Sequence, residues 1–510
     1  MTISSGQRGR PMAYDVQAPL QSAAGGLAEL EQRVHDDLAC LCYPPSNWVV
    51  PTAVEGEEQV HDVVVIGGGM CGLVASFALI GAGIQNIRIF DRSPVGFEGP
   101  WLTYARMETL RSPKQLTGPA YGMASLTFRA WYVAQFGNET WAELDKIPRP
   151  MWMEYLRWYR KVLDLPVENG VEVKTILPEG ELMRLTLSGE GAREKSVLAR
   201  KVVMATGRDG MGHPSIPGFV DNLPAKYWAH SSHDIDFAAL RGKRVVVVGV
   251  GASAVDNAAE ALEAGAAEVR HLIRRKEMPC INKLMGIGSF GFTAAFPQLG
   301  DARRWQIMNY SLRTQTPAPR GSTMRVSRHA NAYFHFDAAV DKTELDGDEI
   351  VVSTSQGKTV RADFLILGTG FGVDPLARKE LDGYADKILL WQDRFTPPEG
   401  QENTELGNYP YLANDFTFLE REPGQAPWLA NIHSFNSGAA ASLGKMSGDI
   451  PGISEGAAWL AREIAAKLYT ENFGQYWQRL LDYDTPELRG DEWTASPLPD
   501  EARTAVRQQA

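Results

Sequence analysis

Gly67, Gly69 and Gly72 form a G-x-G-x-x-G pattern directly after the apolar run VVVI and directly before the apolar segment MCGLVASFALI. Each glycine suits one task at a dinucleotide: the first a tight turn, the second close backbone approach to a pyrophosphate, the third close packing of helix on strand. The helix that follows would present free N–H groups and a positive dipole end to the phosphates. Asp91 closes the next apolar run, 19 residues after Gly72, where a carboxylate can accept from an adenosine ribose. Cys71, inside the turn, reads as a small packing residue.

The pattern recurs as Gly249, Gly251 and Ala254 after RVVVV. Alanine still permits packing at the third position, and Ser253 stands with these residues at the start of the next helix. The following apolar run ends in Arg274 and Arg275 instead of an acid. Arginine there suits the 2′-phosphate of NADP, which favours NADPH over NADH; a solvated surface pair is the alternative. Two such units in one chain point to FAD at the first and NADPH at the second. The turns ATG (Ala205 to Gly207) and LGTGF (Leu367 to Phe371) would return the chain between them.

These turns need parallel strands and flanking helices to position them. The expected fold is α/β, with two Rossmann-like dinucleotide-binding domains and the NADPH domain inserted in the FAD domain. The expected borders are an N-terminal extension at 1–60, the first part of the FAD domain at 61–216, the NADPH domain at 217–331, the second part of the FAD domain at 332–480 and a tail at 481–510. Within these, 26–40 has helical spacing in Leu27, Leu30, Val34 and Leu38. Residues 151–163 form an aromatic amphipathic helix, and its tryptophans, with Trp131 and Trp141, read as core or as a pocket wall. The segment 376–430 is assigned to substrate binding or oligomer contacts.

Among 510 residues, 44% are hydrophobic and 22% charged, which excludes a mostly disordered chain. The 51 basic and 62 acidic residues leave a net charge of −11, so nucleic acid is not an expected partner. The four cysteines contain no CxxC pair, which argues against a disulfide reductase. No metal-ligand spacing and no Ser-His-Asp order stands out. No apolar run reaches the ~18 residues of a membrane helix, and the first 25 residues read as a flexible leader without a signal-peptide core. The expected location is cytoplasmic, with homo-oligomer formation left open.

Taken together, the two glycine units, Arg274 and the return turns resemble the class B flavin-dependent monooxygenases, over about residues 60–470. Five segments resemble the N-hydroxylating, ornithine- and lysine-monooxygenase-like subgroup: GPWLTYARMETLRSPKQL, with Trp101, Met107, Lys114 and Leu116; MWMEYLRWY, with Tyr155 and Trp158; MPCINKLM, with Asn282; QIMNYSL, with Asn309 and Tyr310; and DFLILGTGF, with Asp363 and Phe371. The F-x-G-x-x-x-H fingerprint of the other subgroups is degraded in NLPAKYWAHSSHD, and within the matched segments Leu102 replaces a His and Gly368 an Ala.

The resemblance implies that FAD, reduced by NADPH, activates dioxygen as a flavin hydroperoxide and transfers one oxygen atom to a small nucleophilic substrate. N-hydroxylation of an amine or amino acid is the first expectation. S-oxygenation, Baeyer–Villiger oxidation, or a reductase serving a protein partner are the alternatives. It further implies that Trp101 lies beside the flavin, that Lys114 and Asn282 hold a substrate carboxylate, and that Asn309 contacts NADP and the oxygenated flavin. Asn436 and Ser437 would lie in a turn whose N–H groups face the flavin's pyrimidine end.

Overall fold

A computed structural model describes residues 19–20, 25–54, 56, 59–193, 195–208 and 210–498. The leader and the end of the tail lie largely outside these residues. The chain divides into two units, residues 1–465 and 466–510.

In the first unit, helix α1 (Gly26–Cys40) buries Leu30, Val34 and Leu38, three of the four residues that the spacing singled out. The run before the first glycine turn becomes β1 (Val60–Ile66), buried at every position. Strands covered on both faces read as continuous apolar runs, and this one is followed by α2 (Met70–Gly81), buried from Met70 to Leu79. Strand β2 (Ile87–Asp91) pairs parallel with β1.

Two helices follow, α3 (Phe128–Glu143) and α4 (Arg149–Val162). Trp131, Trp141, Trp152 and Trp158 are all buried, so they are core. The Tyr155 and Tyr159 hydroxyls donate to the carbonyls of Leu126 and Pro119, which satisfies their polar ends inside that core.

Strands β3 (Val167–Asn169), β4 (Glu172–Glu179), β5 (Leu182–Ser188) and β6 (Ser196–Met204) complete the first sheet. Its order is β3-β2-β1-β6-β5-β4. β5 covers the first half of one β6 edge, pairing Thr186 with Ser196. Ile432 and His433 pair with Val202 and Val203 in the second half. The chain thus returns to the first sheet after a long excursion.

That excursion opens with β7 (Gly212–Pro214) and β8 (Trp228–His230). It then holds β9 (Arg244–Val248), α5 (Ala252–Glu263) and β10 (Glu268–Leu272), the second strand–turn–helix–strand unit. Helices α6 (Phe290–Ala295), α7 (Asp301–Thr314) and α8 (Arg320–Ser327) lead to β11 (Ala332–His335). An antiparallel meander of β12 (Val340–Asp346), β13 (Glu349–Thr354) and β14 (Thr359–Ala362) precedes β15 (Phe364–Leu367) and β16 (Phe371–Val373). The second sheet runs β11-β10-β9-β15-β8.

The second sheet extends past the expected border at residue 331. β15 pairs with β9 and β8, so the second sheet extends to Leu367. An apolar run such as FLIL does not declare which of two parallel sheets it joins, because both offer the same buried slot. Segment 376–430 also acquires a structural role: Trp391 and Leu406 pack with Trp305, Met308 and Phe296 around α7. The second unit, by itself, contains the helix Phe473–Asp482 and a stacked Tyr469–Tyr476 pair with ring centroids 4.1 Å apart.

The buried Arg325 of α8 ties this architecture together. Its guanidinium donates to Glu263 and Glu260 of α5 and to the carbonyl of Arg106 in the first domain. Removing it leaves Glu260 without this partner, Glu263 with Arg328 alone, and a carbonyl without its donor. Arg325→Met should lower unfolding stability by about 2–3 kcal/mol, measured by urea denaturation at neutral pH.

Candidate dinucleotide and flavin site

The two glycine turns are close copies. Gly67 and Gly249 both have φ +107°, a conformation open only to glycine. Gly69 and Gly251 are the extended residues that cap α2 and α5. A Cβ on Gly67 would lie 2.5 Å from the Ala205 carbonyl oxygen, and one on Gly249 would lie 2.8 Å from that of Gly368. Each return turn thus presses its backbone against a first glycine.

The third positions differ. A Cβ on Gly72 would lie 1.8 Å from the Gly67 carbonyl oxygen, so glycine is obligatory. Ala254 is accommodated instead by Gly368, on which a Cβ would come within 2.3 Å of the Ala254 methyl. The departure from the family pattern at Gly368 is the counterpart of the alanine in the turn.

Gly69 leaves room on its outer side: the nearest atoms to a Cβ there are 3.8 Å away, in Gly99. A cavity of about 360 Å³ opens here, lined by Gly68, Gly69, Glu98, Met153, Arg157 and Arg160 among others. Arg157 donates to the Gly96 carbonyl, and Arg160 joins Glu98, Asn169 and the Val167 carbonyl. A backbone cradle, a helix N-terminus and two guanidiniums fit a dinucleotide pyrophosphate. Sequence reasoning missed Arg157, Arg160 and Glu98. The signal was the polar face of α4, which the aromatic residues on its other face obscured.

Asp91 is buried where the spacing puts it, but its carboxylate first serves the turn. One oxygen accepts from the Gly68 N–H at 2.7 Å and the other from the Ser93 N–H at 2.7 Å. Trp101 stands half-buried beside Gly99. Cys71 is buried and its thiol is pushed up to about 12, chiefly by burial, as befits a packing residue.

At the second turn, Ser253 is exposed in the first turn of α5. His271 of β10 holds the turn from below. Its Nδ1–H donates to the Gly249 carbonyl at 3.0 Å, and its ring stacks on Phe334 at 4.8 Å. Burial pushes its pKa down to about 4, so the ring is neutral at pH 7. Arg274 is exposed, and Arg275 is half-buried with Nε donating to Gln315 Oε1 at 2.7 Å.

The expected substrate-side residues lie apart and have partners within the protein. Lys114 is buried, and its ammonium sits on the carbonyls of Trp141, Ala142 and Leu144 at the C-terminal end of α3, 4.9 Å from the Trp141 ring centroid. The negative end of the helix draws it there, away from any carboxylate. Asn282 lies half-buried in an exposed stretch and shares no hydrogen-bond partner with Lys114.

Asn309 is likewise engaged. Its Nδ2 donates to the Gln401 carbonyl at 2.9 Å, and its Oδ1 accepts from Asn403 at 3.0 Å, so it fastens α7 to the 401–403 segment. Asn436 donates to the Met204 carbonyl and Thr206 Oγ1 and accepts from the Gly438 N–H. Ser437 donates its N–H to Gly207 and its hydroxyl to the Arg208 carbonyl. This turn binds the first return turn and has no free N–H at 437 or 438 to face a flavin. Lys114, Asn309, Asn436 and Ser437 each serve a neighbouring backbone group.

A FAD-dependent urate hydroxylase of Xanthomonas campestris pv. campestris is 39% identical over 479 residues, covering 93% of this chain and 99% of that protein. The chain belongs to the class B flavin-dependent monooxygenases. The family described as pyridine nucleotide-disulphide oxidoreductase matches residues 64–283, a stretch that contains both glycine turns.

Among solved structures, the ornithine hydroxylase of Pseudomonas aeruginosa is 16% identical with a TM-score of 0.61, covering 81% of this chain and 99% of that one. The ornithine N-hydroxylase of Kutzneria sp. 744 is 18% identical with a TM-score of 0.61, covering 80% and 100%. At such identities they share the fold of this monooxygenase. Membership of the class makes the chain an FAD-dependent oxidoreductase. No helix among the described residues is long and apolar enough to cross a membrane.

Two tests follow from the turns. Gly69→Val has space in the protein but fills the face a pyrophosphate needs, so it should fold with an unchanged circular dichroism spectrum and purify without bound flavin. His271→Gln should make stability less dependent on pH. The folded His271 pKa lies below the unfolded value of 6.5, so the wild type loses stability as pH falls from 6.5 through about 4. Its advantage over the variant should shrink by about 3 kcal/mol across that window, read from urea denaturation at pH 7 and pH 4.

Proposed function

We propose that this monooxygenase hydroxylates urate or a closely related oxidised purine, using NADPH in preference to NADH. The observation that carries this reading is the 39% identity to a urate hydroxylase over nearly the whole length of both chains. N-hydroxylation of an amino acid is the weaker reading, because the ammonium of Lys114 and the amide of Asn309 are held by protein carbonyls and side chains. Overall, one atom of dioxygen enters the substrate and the other leaves as water, with two electrons from NADPH.

When bound, FAD supplies the electron transfer and oxygen activation. The chain's own residues supply position. Arg157 and Arg160 lie beside the cavity at the first turn, where they would face the phosphates of FAD. Arg275, beside the second turn, would meet the 2′-phosphate of NADPH. Tyr104 and Phe371, half-buried with ring centroids 6.3 Å apart, offer aromatic faces of the kind that hold a flat conjugated ring. His230 backs this pair, 5.5 Å from Phe371, with Nε2–H donating to the Gly370 carbonyl. Burial pushes His230 down to about 4, so it remains a neutral donor at working pH.

The test is oxygen and NADPH consumption by the FAD-loaded enzyme with urate, ornithine and lysine in parallel, with hydrogen peroxide and products quantified. Urate should stimulate consumption and disappear in proportion to NADPH, with little peroxide. A hydroxylamine product from ornithine or lysine, with urate inert, would overturn the proposal.

A further inference from the structure

Gln315 combines three features. It ends α7 with φ +56° and ψ +133°, a left-handed backbone that a residue with a Cβ adopts at a cost. Its Oε1 accepts from Arg275 Nε at 2.7 Å. Its Nε2 lies against the second turn, 3.3 Å from where a Cβ on Gly251 would stand. The strained residue therefore spans the gap between an arginine and the glycine at which a pyrophosphate approaches.

The loop after it is anchored independently. Arg111, from the first domain, donates to the Pro317 carbonyl at 2.8 Å. The position of the Gln315 backbone is thus set by contacts outside the second sheet, and the strain is held in place by them.

The electrostatics separate the two arginines. Arg274 is exposed and interacts with Glu405. The charged groups acting on Arg275 include Arg274 but no carboxylate, and burial together with that neighbour holds its pKa below the usual arginine range. Gln315 is a neutral partner. It fixes the guanidinium through Nε and leaves the full positive charge, and the Nη1 and Nη2 donors, without a protein partner among the described residues. An acid at this position would have cancelled the charge. A guanidinium held at one edge and open at the other suits bidentate contact with a phosphate.

We propose that Gln315 is a positioning residue for dinucleotide selectivity, holding Arg275 beside the second glycine turn so that its free edge meets the 2′-phosphate of NADPH.

The experiment is titration calorimetry on the oxidised, FAD-loaded protein with NADP⁺, NAD⁺, 2′-AMP and 5′-AMP. In Gln315→Ala the dissociation constants for NADP⁺ and 2′-AMP should rise about tenfold, while those for NAD⁺ and 5′-AMP change less than twofold. Gln315→Glu, which keeps the contact to Nε but neutralises the charge, should give the same split. Gln315→Gly should also weaken NADP⁺ binding while its thermal unfolding midpoint is no lower than that of the wild type, because glycine relieves the backbone strain. Equal changes for the phosphorylated and unphosphorylated ligands, or no change in either, would overturn the proposal.

Discussion

Everything in the first unit is arranged around two places where backbone meets backbone with no room for a side chain. At each, a strand ends, the chain reverses at a glycine with φ +107°, and a helix begins within three residues. A carbonyl from the return turn closes over the first glycine from the other side. This contact fixes where the helix N-terminus points and so where a phosphate can sit. It also requires the return strand to lie beside the turn strand, which is why β6 adjoins β1 and β15 adjoins β9. The sheet topology and the cofactor sites are two aspects of one steric requirement.

The glycine turns, the flanking strands and the insertion of one dinucleotide unit into another were legible because their residue types admit few alternatives. No other residue replaces glycine at φ +107°, and an apolar β-branched run before such a turn has few other uses. The border of the insertion was not legible past residue 331, since pairing partners of interior strands are chosen by three-dimensional position and not by composition. Arg157 and Arg160 escaped notice for a related reason: their importance comes from which cavity α4 borders, and the helix alone says only that one face is polar.

The substrate side was the least legible. Lys114, Asn309 and Asn436 are polar residues in matching segments, and each is consumed by a local structural need: a helix C-terminus, a loop carbonyl, a return turn. Buried polar side chains seek partners at once, so a short motif match cannot distinguish a residue that binds substrate from one that satisfies backbone. The long alignment with a urate hydroxylase carries information that these local matches do not.

The small residues at the second turn have a consequence for the order in which such sequences can change. The Ala254 methyl fills the space over Gly368, where a Cβ would lie 2.3 Å from that methyl and 2.6 Å from the Ala254 Cα. A chain with glycine at both positions would leave a small void, whereas a chain with alanine at both would overlap methyl on methyl. Glycine at 254 would not by itself admit a methyl at 368, because the Cα of residue 254 also stands in the way and the turn and return strand must first move apart. The two positions are sterically coupled, and the residue seen at one restricts what can be substituted at the other.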